Sequence, residues 1–67
     1  MTWNHRVVLK DGEYGIHEVY YDEEGKPEAC TEDPMAPWGE TFEELQEEVR
    51  WFSIALNRPV LRWEDFK

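Results

Sequence analysis

Within Gly39-Glu40-Thr41-Phe42-Glu43-Glu44-Leu45, a threonine is followed three residues later by a glutamate just ahead of an apolar periodic run. That spacing marks the start of a helix: the hydroxyl takes a free backbone N–H of the first turn, and the glutamate reaches back to return the bond. Phe42, Leu45, Val49, Phe52 and Leu56 then recur at intervals of three and four, one continuous stripe on a helix from Thr41 to about Leu56. Glu40, Glu43, Glu44, Glu47 and Glu48 crowd its positive end, where the helix dipole favours them. Asn57 and Pro59 end it, and Trp51 and Ile54 lie off the stripe.

Everything before this helix reads as strands. His5–Lys10 is a short β-branched run closed by Asp11-Gly12, a strong two-residue hairpin signal when a second such run follows. Glu13–Tyr21 is that second run. The turn sets the pairs Lys10 with Glu13, Leu9 with Tyr14, Val7 with Ile16 and His5 with Glu18. Val7, Leu9, Tyr14, Ile16 and Tyr20 then share the face expected to form the core. The other face carries Arg6, Val8, Lys10, Glu13, His17, Val19 and Tyr21, with an apolar patch at Val8, Val19 and Tyr21. Asp22-Glu23-Glu24-Gly25 has the composition of a type I turn with glycine at the left-handed position. A weaker third strand is expected at Glu28–Glu32, an edge strand because Pro27 stands at its start. Pro34 and Pro37 break the chain, with Trp38 folded back onto the body. After the helix, Val60–Trp63 suits a short strand or an extended arm, and Glu64–Lys67 a tail.

The expected fold is therefore α+β: one domain over residues 1–67, a three-stranded antiparallel sheet packed by one amphipathic helix, with room for a short terminal strand. A chain of 67 residues buries only about 60% of its unfolded surface. Its single cysteine, Cys30, excludes an intramolecular disulfide, and no Cys/His spacing matches a zinc site. Four tryptophans, three tyrosines and three phenylalanines must carry the stability, inside the chain or in an interface. Neither a secretory signal pattern nor a membrane-length apolar run is present, so the expected location is the cytoplasm.

Three strands leading through Gly-Glu-Thr-x-Glu-Glu into one amphipathic helix resemble the HicB-like antitoxin domain. That family's pattern is a β-β-β-α-β partial RNase H-like core with a Gly-Asp-Thr-x-Glu-Glu-Ala helix start. Gly39, Thr41, Glu43 and Glu44 match; Glu40 stands for Asp and Leu45 for Ala. The family's Pro-Gly-Cys feature is absent from the third strand, and no DNA-binding helix-turn-helix or ribbon segment follows. Ile16–Pro27 with Thr31-Glu-Asp-Pro is also similar to a group of small uncharacterised bacterial proteins. An antitoxin-like role is what the first resemblance implies; the second implies no activity.

No catalytic constellation is legible. His5, His17 and Glu18 do not converge as a metal set, because adjacent strand residues point to opposite faces. Cys30 lacks a placed base and orienter, the Asp22 turn is too short for a calcium loop, and glutamates four apart on the helix suit solvent. No catalytic residue, cofactor or metal is expected, and the chain reads as non-enzymatic. Sixteen acids face seven Lys plus Arg, which argues against direct binding of nucleic acid or anionic membrane. Eleven of the sixteen fall between Asp22 and Glu48. A protein partner fits better: a second copy forming a homodimer, another protein with a basic surface, or both. Trp51 and Ile54 on the helix, Val8, Val19 and Tyr21 on the outer sheet face, and Trp63 on the arm are the candidate interface. The alternative is an acidic mimic of nucleic acid, or an antitoxin-like inhibitor of a nucleic-acid-handling protein.

Overall fold

Asp11 and Gly12 turn the chain with φ of 54° and 79°, the doubly left-handed geometry of a type I′ hairpin, which aspartate and glycine tolerate and β-branched residues do not. In the computed structural model, which describes residues 2–66, this turn joins β1 (Thr2–Lys10) to β2 (Glu13–Tyr21). All nine β1 residues pair antiparallel with β2 in the register the turn sets, from Lys10 opposite Glu13 to Thr2 opposite Tyr21. β1 starts three residues earlier than the β-branched run indicates. Asp22 holds the next turn: its backbone exchanges with Lys26 and Gly25, and its Oδ1 accepts from the N–H groups of Glu24 and Lys26. β3 (Pro27–Cys30) returns along β2 with an irregularity at Tyr20/Tyr21. It begins and ends earlier than expected, although the Thr31 N–H still donates to the Glu18 carbonyl and the Met35 N–H to that of Ile16.

α1 (Phe42–Ala55) starts where the threonine places it. Thr41 is extended (φ −125°, ψ 164°), and its Oγ1 accepts from the Glu44 N–H at 3.1 Å, a cap that contributes about 0.5–2 kcal/mol. Glu44 reaches back one residue further than a capping box requires, its Oε1 accepting from the Glu40 N–H at 2.9 Å. Gly39 is a packing requirement here, since a Cβ at that position would stand 2.5 Å from the Leu45 nitrogen and 2.8 Å from the Glu44 carbonyl carbon.

After α1 the chain forms β4 (Leu61–Arg62), which pairs in parallel with β1 at Val8 and Leu9. The sheet is thus four-stranded and mixed, in the order β3-β2-β1-β4: to the three antiparallel strands expected, the short strand allowed for at Val60–Trp63 adds a fourth, and it is parallel. β3 and β4 run in the same direction on opposite edges, and α1 is the crossover that a parallel strand requires. A 3₁₀ turn at Trp63–Asp65 follows in place of the expected tail, of which Lys67 lies outside the described residues, as does Met1.

Both faces of the sheet are covered. α1 lies over β1, with the Phe52 ring 4.8 Å from that of His5. The opposite face, expected to be exposed, is the better buried one: Val8 and Val19 are 0% exposed and His17 2%. Its cover comes from both flanks. Trp63 returns from β4 to lie 6.5 Å from the His17 ring and beneath the Lys10 ammonium at 4.0 Å. From the β3 side, the Thr31 carbonyl faces His17 Nδ1 at 2.9 Å and that of Glu32 takes the Lys10 ammonium at 2.7 Å. On the helix side the expected core is only partly enclosed: Val7 is buried and Tyr14 is exposed.

Trp63 therefore completes a core, whereas Trp38 is 69% exposed and does not fold onto the body. Trp63→Ala is expected to lower stability by at least about 2 kcal/mol, towards the cost of emptying a buried aromatic site, and Trp38→Ala to stay within about 0.5 kcal/mol. Urea denaturation of the two variants checks this, and equal midpoints would contradict it.

Candidate functional site

On α1, the arc enclosed against the rest of the chain runs through Leu45, Glu48, Phe52 and Ala55, at spacings of three, four and three, and Ile54 is half-buried beside it. This arc is rotated from the stripe read in the sequence, and Phe42, Val49 and Leu56 stand exposed on its flank. The rotation follows from how the helix ends. Asn57 and Arg58 donate backbone N–H groups to the carbonyls of Ile54 and Ala55, and the Arg58 guanidinium donates through Nη1 to the His5 carbonyl at 3.2 Å. The last of these crosses to β1, and the small Ala55 beside it is 0% exposed. The large residues of the stripe's other edge are left outside.

Two apolar surfaces result. One is the helix flank, where Phe42, Leu45 and Val49 line a shallow hollow edged by Gln46 and Arg50. The other is an open hollow of about 490 Å³ on the opposite side, lined by Trp3, Asn4, His5, Glu48, Trp51 and Arg58. Its tryptophans are 55% and 48% exposed. The Trp3 ring meets His5 edge-on at 5.5 Å, continuing the row His5–Phe52 outward. A third depression, lined by Tyr21, Asp22, Glu23, Glu24 and Glu28, is acidic and sits on the β2–β3 turn.

The residues expected to form an interface divide. Trp51 is exposed and lines the second hollow; Ile54 is half-buried nearby on the helix. Val8 and Val19 are enclosed within the chain and offer no surface, so that part of the expected patch is a core. Trp63 is half-buried and engaged with Lys10 and His17. Tyr21 is tied into a network on the same side of the sheet: its hydroxyl accepts from Arg6 Nη1 at 2.9 Å and donates to Asn4 Oδ1 at 2.7 Å. Arg6 Nη2 reaches the Pro59 carbonyl at 2.8 Å. Trp3, Glu48 and Arg58 are the contributors that sequence reasoning missed. Trp3 shares parity with His5 and Val7, and Glu48 falls between Leu45 and Phe52 at helical spacing, so both positions carried a signal. Nothing local marked Arg58.

His5 and His17 lie on opposite faces, against Phe52 and against Thr31 and Trp63 respectively. Glu18, beside His5 across the ladder, accepts a 2.7 Å hydrogen bond from the Tyr20 hydroxyl. That bond leads the causes that hold the Tyr20 phenol above its ordinary range, with desolvation and the charge on Glu18 adding to it. Among the described residues no group of three His, Cys, Asp or Glu side chains is placed to hold a metal ion. No helix there is long and apolar enough to cross a membrane. Comparison of the chain with protein-family models, with curated proteins and with solved structures finds no match.

Burial pushes the Cys30 thiol up, and the charge on Lys10 opposes the shift. A raised pKa leaves little thiolate at neutral pH, and the thiolate is the reacting form. Cys30 is accordingly expected to react with a chromogenic disulfide more slowly in the folded chain than in urea, and more slowly again in Lys10→Ala. A folded chain that reacts as fast as the unfolded one would contradict this.

Proposed function

We propose that this chain is a small non-enzymatic, cytoplasmic protein-binding module that acts as a homodimer and presents the exposed flank of α1 to a second protein. The observation that carries this reading is the row Phe42, Val49 and Leu56, each exposed at seven-residue spacing along one side of the helix. Apolar surface left exposed along one side of so small a chain is a docking feature, and a second helix or an apolar groove is what such a row fits. The net charge of −9 favours a partner with a basic rim, since opposite fields steer encounter. The element order β-β-β-α-β is that of the HicB-like pattern, and an antitoxin-like inhibitor would be one form of such a module.

Acidic mimicry of nucleic acid is the second reading, favoured by the depression at Tyr21–Glu28 and the eleven acids between Asp22 and Glu48. The two differ in what they bury. An apolar contact is largely insensitive to salt, whereas attraction between exposed charges is screened over a Debye length of about 8 Å at physiological ionic strength.

A partner recovered from the native host by the wild-type chain is expected to bind the folded Phe42→Asp, Val49→Asp variant at least about tenfold more weakly, a loss of about 1.4 kcal/mol. Its affinity for the wild type should change little between low and high salt. An affinity that is unchanged in the variant and collapses with salt would replace this reading with mimicry.

A further inference from the structure

From the hollow at Trp3 and Trp51 we infer the dimer interface itself: a second copy of this chain docks there about a twofold axis, pairing Glu48 of each copy with Arg58 of the other. This inference rests on the homodimer proposed above and assigns its surface. Glu48 lies within the arc of α1 that faces the body, half-buried between Leu45 and Phe52. Among the described residues its carboxylate has neither hydrogen bond nor ion pair; the salt bridges join Lys26 to Glu24, Arg50 to Glu47 and Arg62 to Glu64. A carboxylate without a partner in its own chain can take a charge-assisted hydrogen bond from another. Arg58, lining the same hollow, spends one N–H on the His5 carbonyl, and a guanidinium has five to give.

An interface with twofold symmetry must be complementary to itself, residue i meeting j while j meets i. One acid and one base lining the same hollow, flanked by two exposed tryptophans, satisfy that condition. The rotation brings opposite charges together twice and sets the Trp3 and Trp51 rings of one copy against those of the other, contacts that aromatic rings favour edge-on or offset. Arg58 is the cation that lines this hollow, while most of the acids lie between Asp22 and Glu48. Two copies each of charge −9 would repel across the β2–β3 turn or the first turn of α1. A foreign apolar peptide would cover the tryptophans but leave Glu48 unpaired.

Sedimentation of the full chain tests the assignment. The wild type is expected to be a dimer at micromolar concentration. Glu48→Arg and Arg58→Glu should each raise the dissociation constant at least about tenfold, and an equimolar mixture of the two should sediment again as a dimer, because each then supplies what the other lacks. Trp3→Glu, a change on an exposed strand end, should be monomeric with an unchanged circular dichroism spectrum, which keeps the test decisive if Arg58→Glu fails to fold. A wild type that is monomeric at the highest attainable concentration overturns both the dimer and this interface. Dimers that persist in folded Glu48→Arg and Trp3→Glu leave the homodimer standing and overturn the interface. Single variants that stay monomeric when mixed overturn the Glu48–Arg58 pairing.

Discussion

The two-residue turn at Asp11-Gly12 is the constraint on which the rest depends. Because strand side chains alternate, a slip of one residue at this turn would turn the side chains of β2 to the opposite face relative to those of β1. With Lys10 opposite Glu13, Val8, His17 and Val19 fall on one side and His5 and Val7 on the other. Every later element has to match that division. Leu61 pairs with Val8 and so brings Trp63 to the side of His17 and Lys10, while α1 settles on the side of His5. The positive φ at Asp11 is the local strain this requires, and aspartate is among the few side chains that accept it.

The helix is capped at its start and tied to the sheet at its end. Thr41 and Glu44 close its first turn, and Gly39 lets the entering chain pass against it. At the other end Ala55 and the Arg58 bond to the His5 carbonyl hold it over β1. One helix fastened in this way covers one strand well and the remainder of the sheet face poorly, which is why Tyr14 stays exposed. The helix also has more apolar surface than β1 can take up. Phe42, Val49 and Leu56 remain on one flank and Trp51 on the other. In a chain this short, buried area is the limiting source of stability, so surface left bare is available for a partner to cover.

What was legible in the residues was whatever a local interaction decides. The hairpin register, the Asp22 turn and the helix start each depend on side chains within four positions of one another, and the structure has all three. What was not legible depended on elements that meet from far along the chain. Val8 and Val19 looked like an outer patch because nothing near them announces that Trp63 and the Thr31–Glu32 backbone close over them. Phe42, Val49 and Leu56 looked like core because periodicity gives a stripe but not the angle at which it docks. Ala55, the most buried residue of the helix, has too small a side chain to register in an apolar pattern. Glu48 is the same lesson in reverse: an acid at a position with helical spacing for burial reads as solvent-facing until the hollow around it is visible.

The face assignment can be read directly from nuclear Overhauser contacts among the aromatic rings and the buried valines. The Phe52 ring should show contacts to His5, and the Trp63 ring to His17 and the Lys10 side chain, with no contact from Phe52 to Val8, His17 or Val19. Contacts from Phe52 to Val8 and Val19 would mean that the helix packs on the opposite face of the sheet and would contradict the arrangement of the entire chain.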